Sequence, residues 1–189
     1  MKEIKVTGTI KYEKDGWEYV EDTEHITVVD DWRYDFLSQF TWKVHMGGPR
    51  VYAVSFDRRL LSKGKKNAML HHFIGGWPNK GLVTEHINGD SLCNLDNNID
   101  TVTIRQNLQN ICVDMYSQLP GVTYDITKKK NKFVSRIRDG KIIKFLGGYE
   151  NQVDAFFAYK EALTDLGEVF TSYTLEKCYK IIDAEMVHI

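Results

Sequence analysis

No stretch of this chain approaches the roughly 20 consecutive apolar residues that a membrane-spanning helix needs. Its opening residues, MKEIKVTGTIKYEKDG, contain no apolar segment of the secretory kind, so the expected setting is a cytoplasm, with no membrane partner. Cysteine is scarce. Cys93, Cys112 and Cys178 are widely spaced and form no C-x-x-C pair, which speaks against a disulfide framework or a structural zinc site and reads as three reduced thiols. Fixed-period repeats and low-complexity stretches are missing too. So is a large net charge, since the formal value is only −1 at pH 7, which taken alone argues against a nucleic-acid binder. What is present is the material of folded protein. Of the 189 residues 42% are hydrophobic and 27% charged, enough for one ordinary domain or two small ones with modest cores.

The average charge hides an asymmetry. Residues 121 to 149 carry Lys128, Lys129, Lys130, Lys132, Arg136, Arg138, Lys141 and Lys144 against only Asp125 and Asp139, whereas from residue 150 onward acids predominate. A basic stripe backed by an acidic segment lets a near-neutral protein present one face to phosphates. A solvated charged hairpin is the plainer alternative.

Three regions separate by pattern. In residues 1–66, KVTGTIKYE and WEYVED alternate like strands around Lys14-Asp15-Gly16, a hairpin signal, and HITVVD reads as a further strand. A short helix follows, capped by Asp30 or Asp31, with Trp32, Phe36, Leu37 and Phe40 at helical spacing. TWKVHM and RVYAVSF are two more strands joined at Gly47-Gly48-Pro49. In residues 67–117, AMLHHFI is a short apolar segment ended by glycines. GLVTEHI is a strand, NGDSLCNLDNN a loop, IDTVT a strand and IRQNLQNIC a helix, whose start carries the capping-box pair Thr103 and Gln106. In residues 118–189, GVTYDIT, KFVSRIR and KIIKFLGGY read as three strands. A helix from about Gln152 to Leu166 follows, with Val153, Phe156, Phe157, Ala158, Leu163 and Leu166 as its apolar stripe. The tail adds a second helix. The expected class is α+β: an N-terminal β-rich segment, a ββα core, and a small three-stranded antiparallel sheet packed on one helix.

The middle region gathers what phosphodiester cleavage needs, namely a base for water, a hard divalent cation and hard oxygen ligands for that cation. His86 is the candidate base because imidazole titrates near neutral pH. Glu85 offers a carboxylate and Asn107 an amide oxygen from the following helix, a sufficient protein share for Mg2+, which keeps several waters. Glu85 and His86 are adjacent, so both can enter one site only where the strand ends. Asn88-Gly89 supplies the turn that ends it. Asp90, Asn94 and Asp96 read as turn residues, and Lys128 to Lys130 as either a solvated turn or, the favoured reading, a phosphate-contacting one. His71 stays open between a buried core histidine and a phosphate contact.

Residues 82 to 110 resemble the HNH endonuclease motif of phage and intron-borne nucleases, written around D-H-I-N-G-D…N…N. The resemblance implies that His86 is the general base and that Asn98, twelve residues on, braces the loop beneath it. Asn107, twenty-one residues after His86, would ligate the metal together with Glu85. Leu70-His71 is similar to the Leu-His-Arg that precedes the motif, with His72 in place of the Arg. HITVVDDWRYDFLSQFTWKV resembles the N-terminal segment of the same group, the hairpin before it being an addition. The chain departs from the pattern in having Glu85 for the usual Asp, Leu95-Asp96-Asn97 for an Arg-rich loop, and Asp100 where Arg is common.

GVTYDITKKKNKFVSRIRDGKIIKFLGGY, followed by AFFAYKEAL and Gly167-Glu168, resembles the APETALA-type, ethylene-response-factor-like DNA-binding module often fused to such nucleases. Phe133 stands where Trp is usual, and Val134 where Arg is frequent. The resemblance implies that one face of this sheet meets double-stranded DNA. Arg136 and Arg138 would share that face by alternation, with Lys144 a neighbour across the hairpin. Lys141, Arg105 and His71 complete the expected DNA contacts. The function expected is a Mg2+- or Mn2+-dependent HNH endonuclease of phage or homing type, acting in the bacterial cytoplasm, a monomer being favoured over a dimer. The alternatives are a DNA-binding protein that has lost its catalytic centre and a restriction endonuclease.

Overall fold

The structure, a computed structural model, describes residues 1–14, 17–48, 50–62, 64–111 and 117–186. The expected turn at Asp15-Gly16, Pro49 and Cys112 lie outside the described residues. The fold is α+β and divides into two compact units, Met1–Ile104 and Arg105–Ile189. Among the described residues no helix is long and apolar enough to cross a membrane.

The first unit is built on a mixed six-stranded sheet whose strands lie in the order Ala68–Met69, Arg50–Ser55, Trp42–Gly47, Lys2–Lys14, Trp17–Val29 and Cys93–Asn94. β1 (Lys2–Lys14) and β2 (Trp17–Val29) form one antiparallel ladder from Lys2↔Val29 to Lys14↔Trp17. The two strands read separately in WEYVED and HITVVD are thus a single one. No Gly or Pro interrupts Trp17–Val29, so nothing breaks its pairing. β3 (Trp42–Gly47) runs parallel to β1 through Val6↔Trp42 and Thr7↔Lys43, and β4 (Arg50–Ser55) returns antiparallel to it. β5 (Ala68–Met69) closes that edge and leads directly into α2 (Leu70–Gly75).

α1 (Asp31–Leu37) leaves β2 with Asp30 at its N-cap, yet the Asp30 side chain makes no cap hydrogen bond. Its Oδ2 instead accepts from the backbone N–H of Asp96 at 2.7 Å. Of the four apolar residues at helical spacing, Leu37 and Phe40 are buried in the core beside Ile4, Val6, Val29, Trp42 and Leu70. Trp32 and Phe36 are exposed, because a seven-residue helix lying on a sheet covers only one narrow face. Trp32 is instead stacked by the Arg33 guanidinium, 4.1 Å from its ring centroid.

β6 (Leu82–His86), β7 (Cys93–Asn94) and β8 (Ile99–Thr103) follow, and β8 runs straight into α3 (Ile104–Ile111). In the second unit β9 (Val122–Tyr124), β10 (Phe133–Asp139) and β11 (Ile142–Tyr149) make a three-stranded antiparallel sheet in the order β11-β10-β9. α4 (Gln152–Asp165) packs on it, its start fixed by Asn151, whose side chain accepts from the Asp154 N–H at 2.8 Å. Its buried stripe is Gln152, Ala155, Phe156, Tyr159 and Leu163. Phe157, expected in the stripe, lies about 100° round the helix from Phe156 and is exposed. α5 (Ser172–Met186) closes the core with Cys178 and Ile182.

Candidate functional site

β6 and β8 pair antiparallel from Leu82↔Thr103 to His86↔Ile99, so His86 is the last residue of its strand. The ladder is regular through Glu85↔Asp100 and His86↔Ile99, so alternation sends the two side chains to opposite faces, and both residues are 4% exposed. β6 ends at His86, and α2 packs against β6 and β8.

The short oxygen-bearing side chains that crowd the following loop are the means by which its backbone is satisfied. Asn88 Oδ1 accepts from the Asp90 N–H, and Asp90 Oδ1 from the Leu92 N–H, both at 2.9 Å, two successive Asx turns around Gly89 at φ +80°. Asn98, 7% exposed, ties the two ends together. Its Oδ1 accepts from the Asn88 N–H at 3.0 Å, and its Nδ2 donates to Asn88 Oδ1 at 3.0 Å and to the Cys93 carbonyl at 2.7 Å. The Ile87 N–H donates to the Asn98 carbonyl at 2.9 Å. The loop is also anchored from outside. Ser91 Oγ donates to the Val51 carbonyl at 2.6 Å, and Asp96 forms an ion pair with Arg33 at 2.7 Å. β7 pairs parallel with β2 through Val28↔Cys93 and Val29↔Asn94.

His86 Nε2 and Asn94 Oδ1 are 3.3 Å apart; Asn94 Nδ2 donates to Thr27 Oγ1 at 2.8 Å, and Thr27 Oγ1 donates to the Leu92 carbonyl at 2.7 Å. The His71 ring lies edge-on to His86 with centroids 5.1 Å apart, beside His72 and Tyr52. Burial holds the His86 imidazole below its ordinary range and Arg50 adds to this, while the Asn94 bond and the Asp90 charge act in the opposite sense. Burial, and then His72 and His86, depress His71 to about 2, and the residue is 6% exposed. His86 is therefore a neutral imidazole at neutral pH, able to accept a proton.

The candidate donors, the Glu85 carboxylate and the Asn107 carboxamide, are hard oxygens that suit Mg2+ or Mn2+ rather than a soft ion. Among the described residues no group of three or more His, Cys, Asp or Glu is placed to hold a metal. Asn107 is half-buried on α3, in the second unit.

In the second unit, Arg136 lies opposite Phe145 and Arg138 opposite Ile143, so these four share the outer face of the sheet. Phe145 and Ile143 are 60% and 56% exposed, and Lys128 Nζ and Arg136 Cζ stand 5.4 Å and 6.0 Å from the Phe145 centroid. Lys144 is not on that face. It pairs with buried Ile137, and its Nζ forms an ion pair with Asp139 at 2.7 Å. The two-residue turn Gly140-Lys141 sets this register, and a one-residue offset places a side chain on the opposite face. Lys141 is exposed in that turn. Arg105 pairs with Glu168 at 2.8 Å and donates to the Arg138 carbonyl at 2.7 Å, which holds it against the sheet's end.

Sequence reasoning passed over Thr27, and it took Asn94 and Asp96 for turn residues. Asn94 reaches Thr27 across 67 positions, and no local spacing signals such a pair. The chain matches no protein-family model, no curated protein and no solved structure.

Proposed function

We propose that the protein is a metal-dependent HNH-type endonuclease that cleaves phosphodiester bonds of double-stranded DNA, of the phage or homing kind. Residues 67–117 would form its ββα-metal core, and the C-terminal sheet would bind DNA. The observation that carries this reading is the buried Glu85–His86 pair at the end of β6, above a loop closed by the three side-chain hydrogen bonds of Asn98.

In this mechanism His86 accepts a proton from water as the water oxygen forms a bond to phosphorus, and one P–O ester bond breaks on the opposite side. A divalent ion such as Mg2+ or Mn2+, when bound, supplies positive charge at the phosphate and the leaving oxygen. Glu85 would offer it a carboxylate oxygen, and the resemblance implies Asn107 as a further ligand. Asn98 keeps the loop from carrying His86 out of line. Arg136 and Arg138 contact backbone phosphates or guanine edges from the exposed sheet face.

Supercoiled plasmid incubated with Mg2+ or Mn2+ tests the reading. Open-circular or linear product is expected from the wild-type protein and none from His86→Ala. Equal nicking by the variant overturns the assignment of the base. Duplex binding in chelator with no cleavage on adding either metal makes the chain a DNA-binding protein without a working centre.

A further inference from the structure

Thr27 Oγ1 has one proton, and the group 2.7 Å from it is the Leu92 carbonyl, which has none to give. The hydroxyl proton therefore goes to Leu92, and the hydroxyl oxygen faces Asn94 as an acceptor at 2.8 Å. Only the amide NH2 of Asn94 fills that place. Asn94 Oδ1 is consequently turned toward His86 Nε2 at 3.3 Å. An acceptor oxygen beside a ring nitrogen requires that nitrogen to carry the proton, which leaves Nδ1 of the neutral ring unprotonated. Thr27 is 0%, Asn94 1% and His86 4% exposed, so bulk water does not compete for these bonds.

We propose that Thr27 and Asn94 are positioning residues that hold His86 in its Nε2–H tautomer and so make Nδ1 the basic atom of the site. What Nδ1 does there rests on the nuclease reading; the tautomer follows from the hydrogen-bond chain alone. β2 and β7 lie side by side at Val28↔Cys93 and Val29↔Asn94, so the N-terminal ladder sets the proton position on a ring in β6. With the opposite tautomer the ring would turn an N–H toward water and could not take water's proton from that side.

Two-bond 1H–15N correlation spectra of the 15N-labelled full chain, with His86→Ala to assign the ring, read the tautomer directly. The wild-type protein is expected to show Nε2–H. Thr27→Val keeps the side-chain shape but leaves the Asn94 amide without its acceptor, and is expected to give a mixture of tautomers and a fall in nicking on the order of ten-fold. Thr27→Ser retains the hydroxyl and is expected to retain both the tautomer and the rate. Should Thr27→Val fail to fold, Asn94→Leu and the wild-type spectrum still decide. An Nδ1–H ring in the wild type, or a pure Nε2–H ring in the folded Thr27→Val and Asn94→Leu variants, overturns the proposal. An Nε2–H ring that is lost in Thr27→Val, in a protein that nicks no plasmid, upholds the lock and removes the nuclease reading.

Discussion

Replacing Asn98 by alanine removes three hydrogen bonds from the candidate loop and leaves the Asn88 N–H and the Cys93 carbonyl to find other partners. Each such bond is worth about 1 kcal/mol net, and a buried group left unsatisfied costs about 1–3 kcal/mol, so the expected loss is roughly 2–4 kcal/mol. Against a typical total of about 5–15 kcal/mol this is a large fraction. All four tryptophans, Trp17, Trp32, Trp42 and Trp77, belong to the first unit, so tryptophan fluorescence during urea denaturation reports that unit alone. With a slope of about 1–3 kcal/mol per molar, the midpoint should fall by on the order of 1–2 M. Asn98→Asp sharpens the test. It keeps an acceptor for the Asn88 N–H but sets a second oxygen against Asn88 Oδ1 and the Cys93 carbonyl. At pH 7 it should destabilise at least as much as alanine. A loss below about 1 kcal/mol in both variants, or an aspartate markedly milder than alanine, would refute the account of Asn98 as a two-way brace.

The depressed pKa of His71 gives a pH dependence with a definite sign. The unfolded ring takes up protons below its ordinary value near 6.5, while the folded ring resists down to about 2, so the stability this group contributes is complete above pH 6.5 and is lost as pH falls through that interval. Urea midpoints measured from pH 7.5 to 4.5 should decline, and His71→Phe should flatten the decline whatever its effect at pH 7.5. The double variant Arg136→Ala/Arg138→Ala should weaken duplex binding and reduce the slope of log K against log salt by about two. Lys144→Ala, which loses an ion pair with Asp139 on the other side of the sheet, should leave that slope unchanged by filter binding. In the second unit, Gly121 has φ +76°, and a Cβ there would collide with the Tyr159 ring. Gly121→Ala should therefore destabilise by more than about 2 kcal/mol, read by calorimetry.

Much of the secondary structure is legible in the residues because its causes are local. Alternation marks β1, β10 and β11, the Asx-rich loop marks its own turns, and Asn151 caps α4 as a short polar residue ahead of an apolar helix. What is not legible depends on register or on distant partners. The exposure of Trp32 and Phe157 follows from which helix face meets the sheet, and several neighbouring apolar residues satisfy the spacing equally well. Lys144 changes face through the parity of a two-residue turn. Among the candidate residues, Glu85 and His86 stand out as an adjacent acid and base ahead of a turn, and Asn98 is singled out by the resemblance. The Asn94–Thr27 contact exists only because β7 docks on the edge of β2, and the Arg33–Asp96 pair joins residues 63 positions apart.

The long hairpin of the first unit carries an obligation of its own. β1 is paired on its far side only at Val6 and Thr7, and β2 only at Val28 and Val29, so among the described residues no further strand pairs with either rim of the ribbon beyond these points. Such rims invite another chain to add itself as a strand, and alternating charge deters it. Lys11, Glu21, Asp22 and Glu24 stand exposed along this ribbon. Neutralising them should turn the ribbon into a seed for aggregation, visible as light scattering that grows with protein concentration.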